Sequence, residues 1–127
     1  MTDGELTHRI IGAAIEVHRV LGPGLLESAY EECLAHDFER LGIPFDRQKA
    51  VPLVYRDVKL DCGYRIDFLV DGRVVVELKA VDSLAPIHDA VLLTYLRLSG
   101  CKIGLLINSH TVVLRDGIRR LVHRYQE

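Results

Sequence analysis

Residues 64–79 have the sequence YRIDFLVDGRVVVELK, and this stretch decides the fold. Apolar residues alternate with other residues from Tyr64 to Val70, and a second apolar run begins at Val74. Alternation with a period of two is typical of β-strands, and Asp71-Gly72 between the two runs is a common turn sequence. The stretch therefore predicts two adjacent antiparallel strands joined by a hairpin.

Both predicted strands contain charged residues where a buried strand is normally apolar. Asp67 interrupts the first strand, and Glu77 and Lys79 flank Leu78 in the second. Residues i and i+2 share one strand face, about 6.6 Å apart, so Glu77 and Lys79 point the same way. A two-residue turn sends Asp67 and Glu77 to opposite faces, whereas a three-residue loop or a bulge pairs them on one face. A shared site therefore predicts an odd loop or a bulge.

Two carboxylates held close together favour a particular chemistry. They repel each other, and a bound divalent cation is the usual means of keeping both ionised. Oxygen ligands suit Mg²⁺ or Mn²⁺, and a nearby lysine can orient a metal-activated water for attack on phosphorus. Ion pairs of Asp67 with Arg65 or Lys79, and of Glu77 with Lys79, explain the same residues without any catalysis. At this point both interpretations stay open.

Helical periodicity precedes the strands. Apolar residues recur every three to four positions from Leu6, which predicts an amphipathic helix that ends at Gly22-Pro23-Gly24. A second helix follows and stops at Gly42. Alternating residues over 51–60 then predict strands around a turn at Arg56-Asp57, as the first part of a meander that continues through residues 64–79.

The later part of the chain predicts a crossover. Residues 87–98 suit a helix packed on the sheet, and residues 102–107 (KIGLLI) are typical of a strand covered on both faces. The tail over 111–123 fits either a hairpin around Asp116-Gly117 or a strand with a short helix. The fold class is therefore α/β (α+β), and the length of 127 residues predicts a single domain over residues 1–127.

Composition excludes several classes of protein. The chain has 16 Lys+Arg against 18 Asp+Glu, so it has no wholly basic coat, and any anionic partner must be met locally. The three cysteines show no CxxC and no zinc-ligand spacing, and the sequence contains no P-loop, GxGxxG or GxSxG motif. Neither a signal peptide nor about 18 consecutive apolar residues is present, so we expect a cytoplasmic protein.

Asp67 followed by Glu77-Leu78-Lys79 on successive strands resembles the PD-(D/E)XK nuclease superfamily. Residues 24–30 (GLLESAY) are also similar to the GxxExxY signature of one bacterial and archaeal branch of that superfamily. The resemblance covers nearly the whole chain through further segments: Tyr64-Arg65-Ile66-Asp67, Ile87-His88, Tyr95-Leu96, residues 104–108 and Gly117-Ile118-Arg119-Arg120. It implies a mixed-sheet nuclease core in the order ααβββαβ with a C-terminal tail.

The same resemblance implies roles for individual residues. Asp67 and Glu77 become metal ligands, Glu27 becomes a third ligand that binds directly or through water, and Lys79 becomes the catalytic lysine. The implied cofactor is Mg²⁺ or Mn²⁺, and the implied activity is metal-dependent hydrolysis of nucleic-acid phosphodiester bonds.

Departures from the family pattern keep a second function open. Val91 stands where related proteins tend to have glutamine, Thr94 where they have asparagine, and Asn108-Ser109-His110 where they have Asn-Phe-Gly. These differences favour an alternative, a catalytically weak or inactive nuclease-fold module that binds nucleic acid or a protein partner.

Some residues outside the carboxylate group are candidates for contacts with the nucleic acid. Four arginines near the C-terminus form a basic cluster that fits either a solvated tail or a phosphate-backbone contact surface: Arg115, Arg119, Arg120 and Arg124. His88 at the start of the later helix suits an N-terminal hydrogen bond, slightly favoured, or a phosphate contact. Nothing in the sequence predicts contacts to base edges.

Two further expectations concern packing. Tyr30 and Tyr95 lie at apolar spacing on helices, so we predict that both are core residues. The first helix has a wide apolar face because Ile11 and Ile15 lie beside its main stripe, and this hints at a homodimer.

Overall fold

The structure is a computed structural model of the chain, and it describes residues 1–124. In that part of the chain the elements run in the order α1 (Asp3–Leu21), α2 (Glu27–Arg40), β1 (Phe45–Ala50), β2 (Leu53–Tyr55), β3 (Val58–Leu60), β4 (Arg65–Val70), β5 (Val74–Lys79), α3 (Pro86–Ser99), β6 (Ile103–Asn108), a 3₁₀ helix (Leu114–Gly117) and β7 (Ile118–Val122).

Five strands form one mixed sheet in the order β1-β4-β5-β6-β7, and β2 with β3 forms a separate two-stranded sheet. The pairs β1–β4, β4–β5 and β6–β7 are antiparallel, whereas β5 and β6 are parallel. A parallel pair needs a crossover, which α3 supplies as predicted. Together with two N-terminal helices, this confirms the predicted mixed α/β class. The site lies on β4 and β5, near the middle of the sheet.

Helices α1 and α2 cover one face of the sheet. The Thr2 hydroxyl caps α1 by accepting the Glu5 backbone N–H at 3.1 Å, and Gly22 ends the helix at φ 80°, a value that favours glycine. Ile11 and Ile15 pack against this core, so a second copy of the chain is not needed to cover the wide apolar face of α1. The structure gives no support to the predicted homodimer.

Apolar side chains form one core on each face of the sheet. The larger core includes an aromatic trio of Phe38, Phe45 and Phe68, whose ring centroids are 5.2–5.6 Å apart. The smaller core packs α3 against the other face, and Tyr95 belongs to it. Tyr30 lies fully buried in the larger core, where its hydroxyl donates to the Ala14 carbonyl at 2.6 Å. The prediction that both tyrosines are core residues is therefore confirmed.

The first strand of the meander differs from our prediction. Residues 51–60 form the separate β2–β3 hairpin, with its turn at Arg56-Asp57 as predicted, but the strand that pairs with β4 is β1. Only Phe45 and Ala50 among the six residues of β1 are apolar, so the strand shows no alternating pattern of its own. Charged residues such as Lys49 are typical of edge strands, where they discourage pairing with other chains. Pairing with β4, rather than periodicity, identifies this strand.

The tail contains a short helix and a strand, as in the second alternative, but in the opposite order: a 3₁₀ helix comes first and strand β7 follows. A Cβ added at Gly117, the last residue of the 3₁₀ helix, would lie 2.6 Å from the Asn108 carbonyl oxygen, so the close approach of the backbone there requires glycine. Residues 125–127 of the predicted single domain lie outside the described residues. None of the helices described over residues 1–124 is long and apolar enough to cross a membrane.

Candidate active site

The loop between β4 and β5 sets the relative position of the two central carboxylates. Phe68 pairs with Val76 and Val70 with Val74, so residues 71–73 form a three-residue connection. Asp71 has φ 52° and Gly72 has φ 65°, both in the left-handed region. Continued by one residue, this register sets position 67 opposite position 77. The predicted odd loop is confirmed.

Asp67 and Glu77 each accept a hydrogen bond from the backbone of the other strand. The Asp67 N–H donates to Glu77 Oε1 at 3.0 Å, and the Leu78 N–H donates to Asp67 Oδ2 at 2.8 Å. The regular pairing of the two strands ends at Phe68 and Val76, so carboxylate oxygens replace the missing carbonyl partners. Both side chains are thereby held between β4 and β5.

Burial governs the electrostatics of this carboxylate pair. Glu77 is only 5% exposed, and burial first, then the negative charge of Asp67, raises its pKa to about 8. Burial also raises the pKa of Asp67, although hydrogen bonds from the Leu78 backbone and the Gln48 side chain act against this change. A carboxyl whose pKa is raised is one whose negative charge is poorly compensated. A positive charge placed next to the pair would therefore be stabilised.

Glu27, from α2, and Lys79, at the end of β5, both influence the charges of the pair. Glu27 is the first residue of α2, and burial raises its pKa while the Lys79 charge lowers it and the Asp67 charge raises it. Lys79 ends β5, and its charge also lowers the pKa of both Asp67 and Glu77. Its carbonyl accepts the Ser109 N–H at 2.8 Å, which ties the end of β5 to the residue after β6. Lys79 is thus the cation that three carboxyl groups share.

The donor set suits a hard divalent cation, since it consists of carboxylates with uncompensated charge. However, no group of three or more His, Cys, Asp or Glu side chains within residues 1–124 is arranged so that it could hold a metal ion. Backbone N–H groups donate to one oxygen of Glu77 and one of Asp67, and the Gln48 amide donates to the other oxygen of Asp67. The chemistry of these residues therefore fits a metal, and binding requires the second Glu77 oxygen, a further lone pair of an Asp67 oxygen, or a local rearrangement that recruits Glu27.

Three residues near the pair were not predicted from the sequence. The Gln48 amide donates to Asp67 Oδ1 at 3.1 Å and to Glu31 Oε1 at 2.7 Å. Tyr95 also lies near the pair, and its pKa is raised by burial and then by the charge of Glu77. Gln48 follows no periodic pattern, but Glu31 lies one helical turn after Glu27, a spacing that was visible in the sequence.

Asn108 and Ser109 organise the segment after β5. The Asn108 side-chain amide exchanges two hydrogen bonds with the backbone of Val81, accepting at 3.0 Å and donating at 2.8 Å. Both residues are almost fully buried. They hold the chain beyond Lys79 against the end of β6.

His88 and Val91 lie on α3. His88 Nδ1 accepts the Ala85 N–H at 2.9 Å, which is the N-terminal hydrogen bond favoured by the sequence. Val91, at the position of the family glutamine, packs partly buried against the smaller core. The structure therefore gives this helix position an apolar packing role.

The four C-terminal arginines do not share one surface. Arg119 and Arg120 are successive residues of β7, so their side chains leave opposite faces of the sheet. Arg119 is paired with Asp89 of α3 at 2.8 Å. Arg115 lies in the 3₁₀ helix, and Arg124 follows β7 with an exposed side chain.

Comparison with known proteins gives one match. The family model of the PD-(D/E)XK nuclease superfamily matches residues 4–121. No curated protein and no solved structure matches the chain. Because the matched region covers most of the chain and includes Glu27, Asp67, Glu77 and Lys79, the chain belongs to the PD-(D/E)XK nuclease superfamily.

Proposed function

We propose that this protein is a metal-dependent nuclease that hydrolyses phosphodiester bonds in nucleic acid, and that it belongs to the GxxExxY branch of its superfamily. The observation that best supports the proposal is the pair of buried Glu77 and partly buried Asp67, with Lys79 as the shared cation. Burial of Glu77 beside a second carboxylate is costly for a fold, so this arrangement favours a function over a purely structural role. The GLLESAY segment, which begins α2 at Glu27, supports the finer assignment.

In this proposal Asp67 and Glu77 hold Mg²⁺ or Mn²⁺, and Glu27 completes the set directly or through a water molecule. When bound, the cation supplies a more acidic water and stabilises negative charge on the phosphate. Lys79 donates to the attacking water or to a phosphate oxygen, and so opposes the charge that develops there. The buried surroundings of Glu77 exclude bulk water, which strengthens each of these interactions.

Metal binding tests the site without a guess about the substrate. We expect calorimetry to detect Mn²⁺ or Mg²⁺ binding to the parent and not to Glu77→Gln. Glu39→Gln, which alters an exposed carboxylate on α2, is the matched control and should bind as the parent does. Equal binding by the parent and Glu77→Gln would contradict the assigned ligands.

Cleavage tests the activity. Labelled single-stranded DNA, double-stranded DNA and RNA, each incubated with Mn²⁺ or Mg²⁺, should include at least one substrate that the parent cleaves. Lys79→Ala should abolish that cleavage while the circular dichroism spectrum stays unchanged, and Lys102→Ala, an exposed lysine before β6, should not affect it. Cleavage by Lys79→Ala at the parent rate would refute the role of this lysine.

We further propose that His88 and the arginines Arg115, Arg119, Arg120 and Arg124 include the phosphate-backbone contacts. The opposite faces of Arg119 and Arg120 imply that one duplex segment meets only one of the two. Each phosphate contact removed should reduce the salt slope of duplex binding by about 0.9. Binding in Ca²⁺, measured by fluorescence anisotropy for each alanine variant, separates the contacting residues from the others.

A catalytically weak or inactive binding module is the second candidate, and Val91 favours it. This residue contributes to the apolar core where related proteins have glutamine, so it offers no polar group to the site. In this case the parent binds nucleic acid without metal, and Glu77→Gln binds equally well. Val91→Gln then separates weak catalysis from none, because gain of cleavage in that variant requires the other catalytic residues to be competent.

A further inference from the structure

Gln48 has an unusual backbone conformation at the point where β1 faces Asp67. Its neighbours pair regularly with β4, Arg47 with Phe68 and Lys49 with Ile66, so Gln48 stands opposite Asp67 in the register. Its φ is 48°, within the left-handed region that residues other than glycine rarely adopt. A strained residue in the middle of a strand persists only when surrounding contacts hold it, and such residues concentrate at functional sites.

The side-chain amide of Gln48 joins two carboxylates. Its nitrogen donates to Asp67 Oδ1 at 3.1 Å and to Glu31 Oε1 at 2.7 Å. The second oxygen of Glu31 accepts from the Arg47 guanidinium at 2.7 Å, so Glu31 is fixed from the other side. An amide nitrogen has two N–H groups and no lone pair to offer, which allows it to lie between two carboxylates without repulsion.

Asp67 is consequently held through both of its oxygens. Gln48 donates to Oδ1, and the Leu78 backbone donates to Oδ2 at 2.8 Å. The two donors lie on different strands, β1 and β5, on either side of β4. This arrangement fixes the rotation of the carboxylate about its last bond, and either donor alone leaves that rotation freer.

We propose that Gln48 is a positioning residue, which fixes the orientation of the Asp67 carboxylate and accepts backbone strain in order to do so. Its effect on metal binding rests on the proposed function, whereas its orientation of Asp67 through the hydrogen bond to Oδ1 does not. Partners that orient a metal ligand typically change metal affinity by 10–100-fold when they are lost.

The first experiment measures the energetic coupling between Gln48 and Asp67 in the metal-free protein. Gln48→Gly removes the amide and relieves the left-handed backbone, and Asp67→Ala removes the acceptor. The control is Asp57→Gly, which relieves the backbone strain of another left-handed residue, with φ 63°, at the tip of the β2–β3 hairpin. Urea midpoints are determined for the parent, the three single variants and the two double variants that contain Asp67→Ala. Should Asp67→Ala not fold, Asp67→Leu, which is close in shape and also lacks an acceptor, replaces it in the same comparison.

We expect the midpoint shifts of Gln48→Gly and Asp67→Ala to be non-additive, because each removes the same hydrogen bond. The shifts of Asp57→Gly and Asp67→Ala should be additive. If both pairs are additive, Gln48 does not hold Asp67, and the inference is overturned whether or not the protein binds metal.

The second experiment measures Mn²⁺ affinity by calorimetry. Gln48→Gly should bind Mn²⁺ about 10–100-fold more weakly than the parent under conditions where both proteins are fully folded. Asp57→Gly should retain the parent affinity. A merely structural role for Gln48 would lower the midpoint and leave the affinity of the folded protein unchanged.

The outcomes separate this inference from the proposed function. If the parent binds Mn²⁺, Glu77→Gln does not, and Gln48→Gly binds as the parent does, then the metal site stands and Gln48 is not its positioning residue. If neither the parent nor Glu77→Gln binds Mn²⁺, the proposed function fails, and the midpoint comparison alone decides whether Gln48 holds Asp67.

Discussion

Glu77 makes the stability of the metal-free protein depend on pH in a defined direction. Its pKa is raised from the ordinary value of 4.5 to about 8 in the folded protein, chiefly by burial. The folded state therefore holds the Glu77 proton more tightly than the unfolded state does. This contribution to stability is complete below about pH 4.5 and is lost as the pH rises through about 8.

The size of the effect follows from the same values. One pKa unit corresponds to about 1.4 kcal/mol. The rise of the Glu77 pKa from 4.5 to about 8 therefore lowers the free energy of unfolding at high pH by on the order of 4–5 kcal/mol. Typical domains have only about 5–15 kcal/mol of stability in total. Glu77→Gln keeps a neutral side chain that can accept the Asp67 N–H, so it should match the parent near pH 5 and exceed it by several kcal/mol near pH 9.

The assay is urea unfolding followed by circular dichroism at about one-unit steps from pH 5 to pH 9, in the presence of a chelator. Glu39→Gln, the exposed control on α2, should follow the parent at every pH. Parallel stability curves for the parent and Glu77→Gln across this range would refute the argument from burial. Under the proposed function, added Mn²⁺ should restore the stability of the parent at high pH and leave that of Glu77→Gln unchanged.

Two further predictions concern packing. Gly117→Ala should lower the free energy of unfolding by at least about 1–3 kcal/mol, because the new Cβ would lie 2.6 Å from the backbone carbonyl oxygen of Asn108. Gly24→Ala, where nothing lies within 4 Å, is its control, and equal urea midpoints for the two variants would contradict the reasoning. Tyr30→Phe should cost about 1–2 kcal/mol by removing the buried 2.6 Å hydrogen bond to the Ala14 carbonyl, and an unchanged midpoint in thermal unfolding would show that this bond is energetically neutral.

The placement of Asp67 opposite Glu77 was predictable because it depends only on whether the loop between their strands has an odd or an even number of residues, within 16 residues of sequence. The alternation in residues 64–79 predicted both strands, and the need for a common site predicted the three-residue loop that the register confirms. The superfamily resemblance was also confirmed by the family model. The roles of Glu27, Asp67, Glu77 and Lys79 stay predictions, since their test is chemical.

The prediction for the first strand of the meander was wrong for a physical reason. Strand β1 is an edge strand with mostly polar residues, so its sequence has no periodic pattern. Residues 51–60 are more apolar and alternate, so they were predicted as the strands next to residues 64–79 instead. The four C-terminal arginines likewise formed one cluster in the sequence. In the fold Arg119 and Arg120 point to opposite faces, and Arg119 is paired with Asp89.

The sequence by itself determined the fold class, the helices and the strands that contain the carboxylates, because hydrophobic periodicity and turn chemistry are local properties. Only the tertiary structure decided that Glu77 is buried, that Gln48 on β1 donates to Asp67 on the neighbouring strand β4, and that Glu31 of α2 accepts from the same amide. These contacts join residues 17 to 19 positions apart in the chain. Burial and strand pairing arise only when distant segments come together, and they set the pKa of a carboxyl group and the orientation of its oxygens.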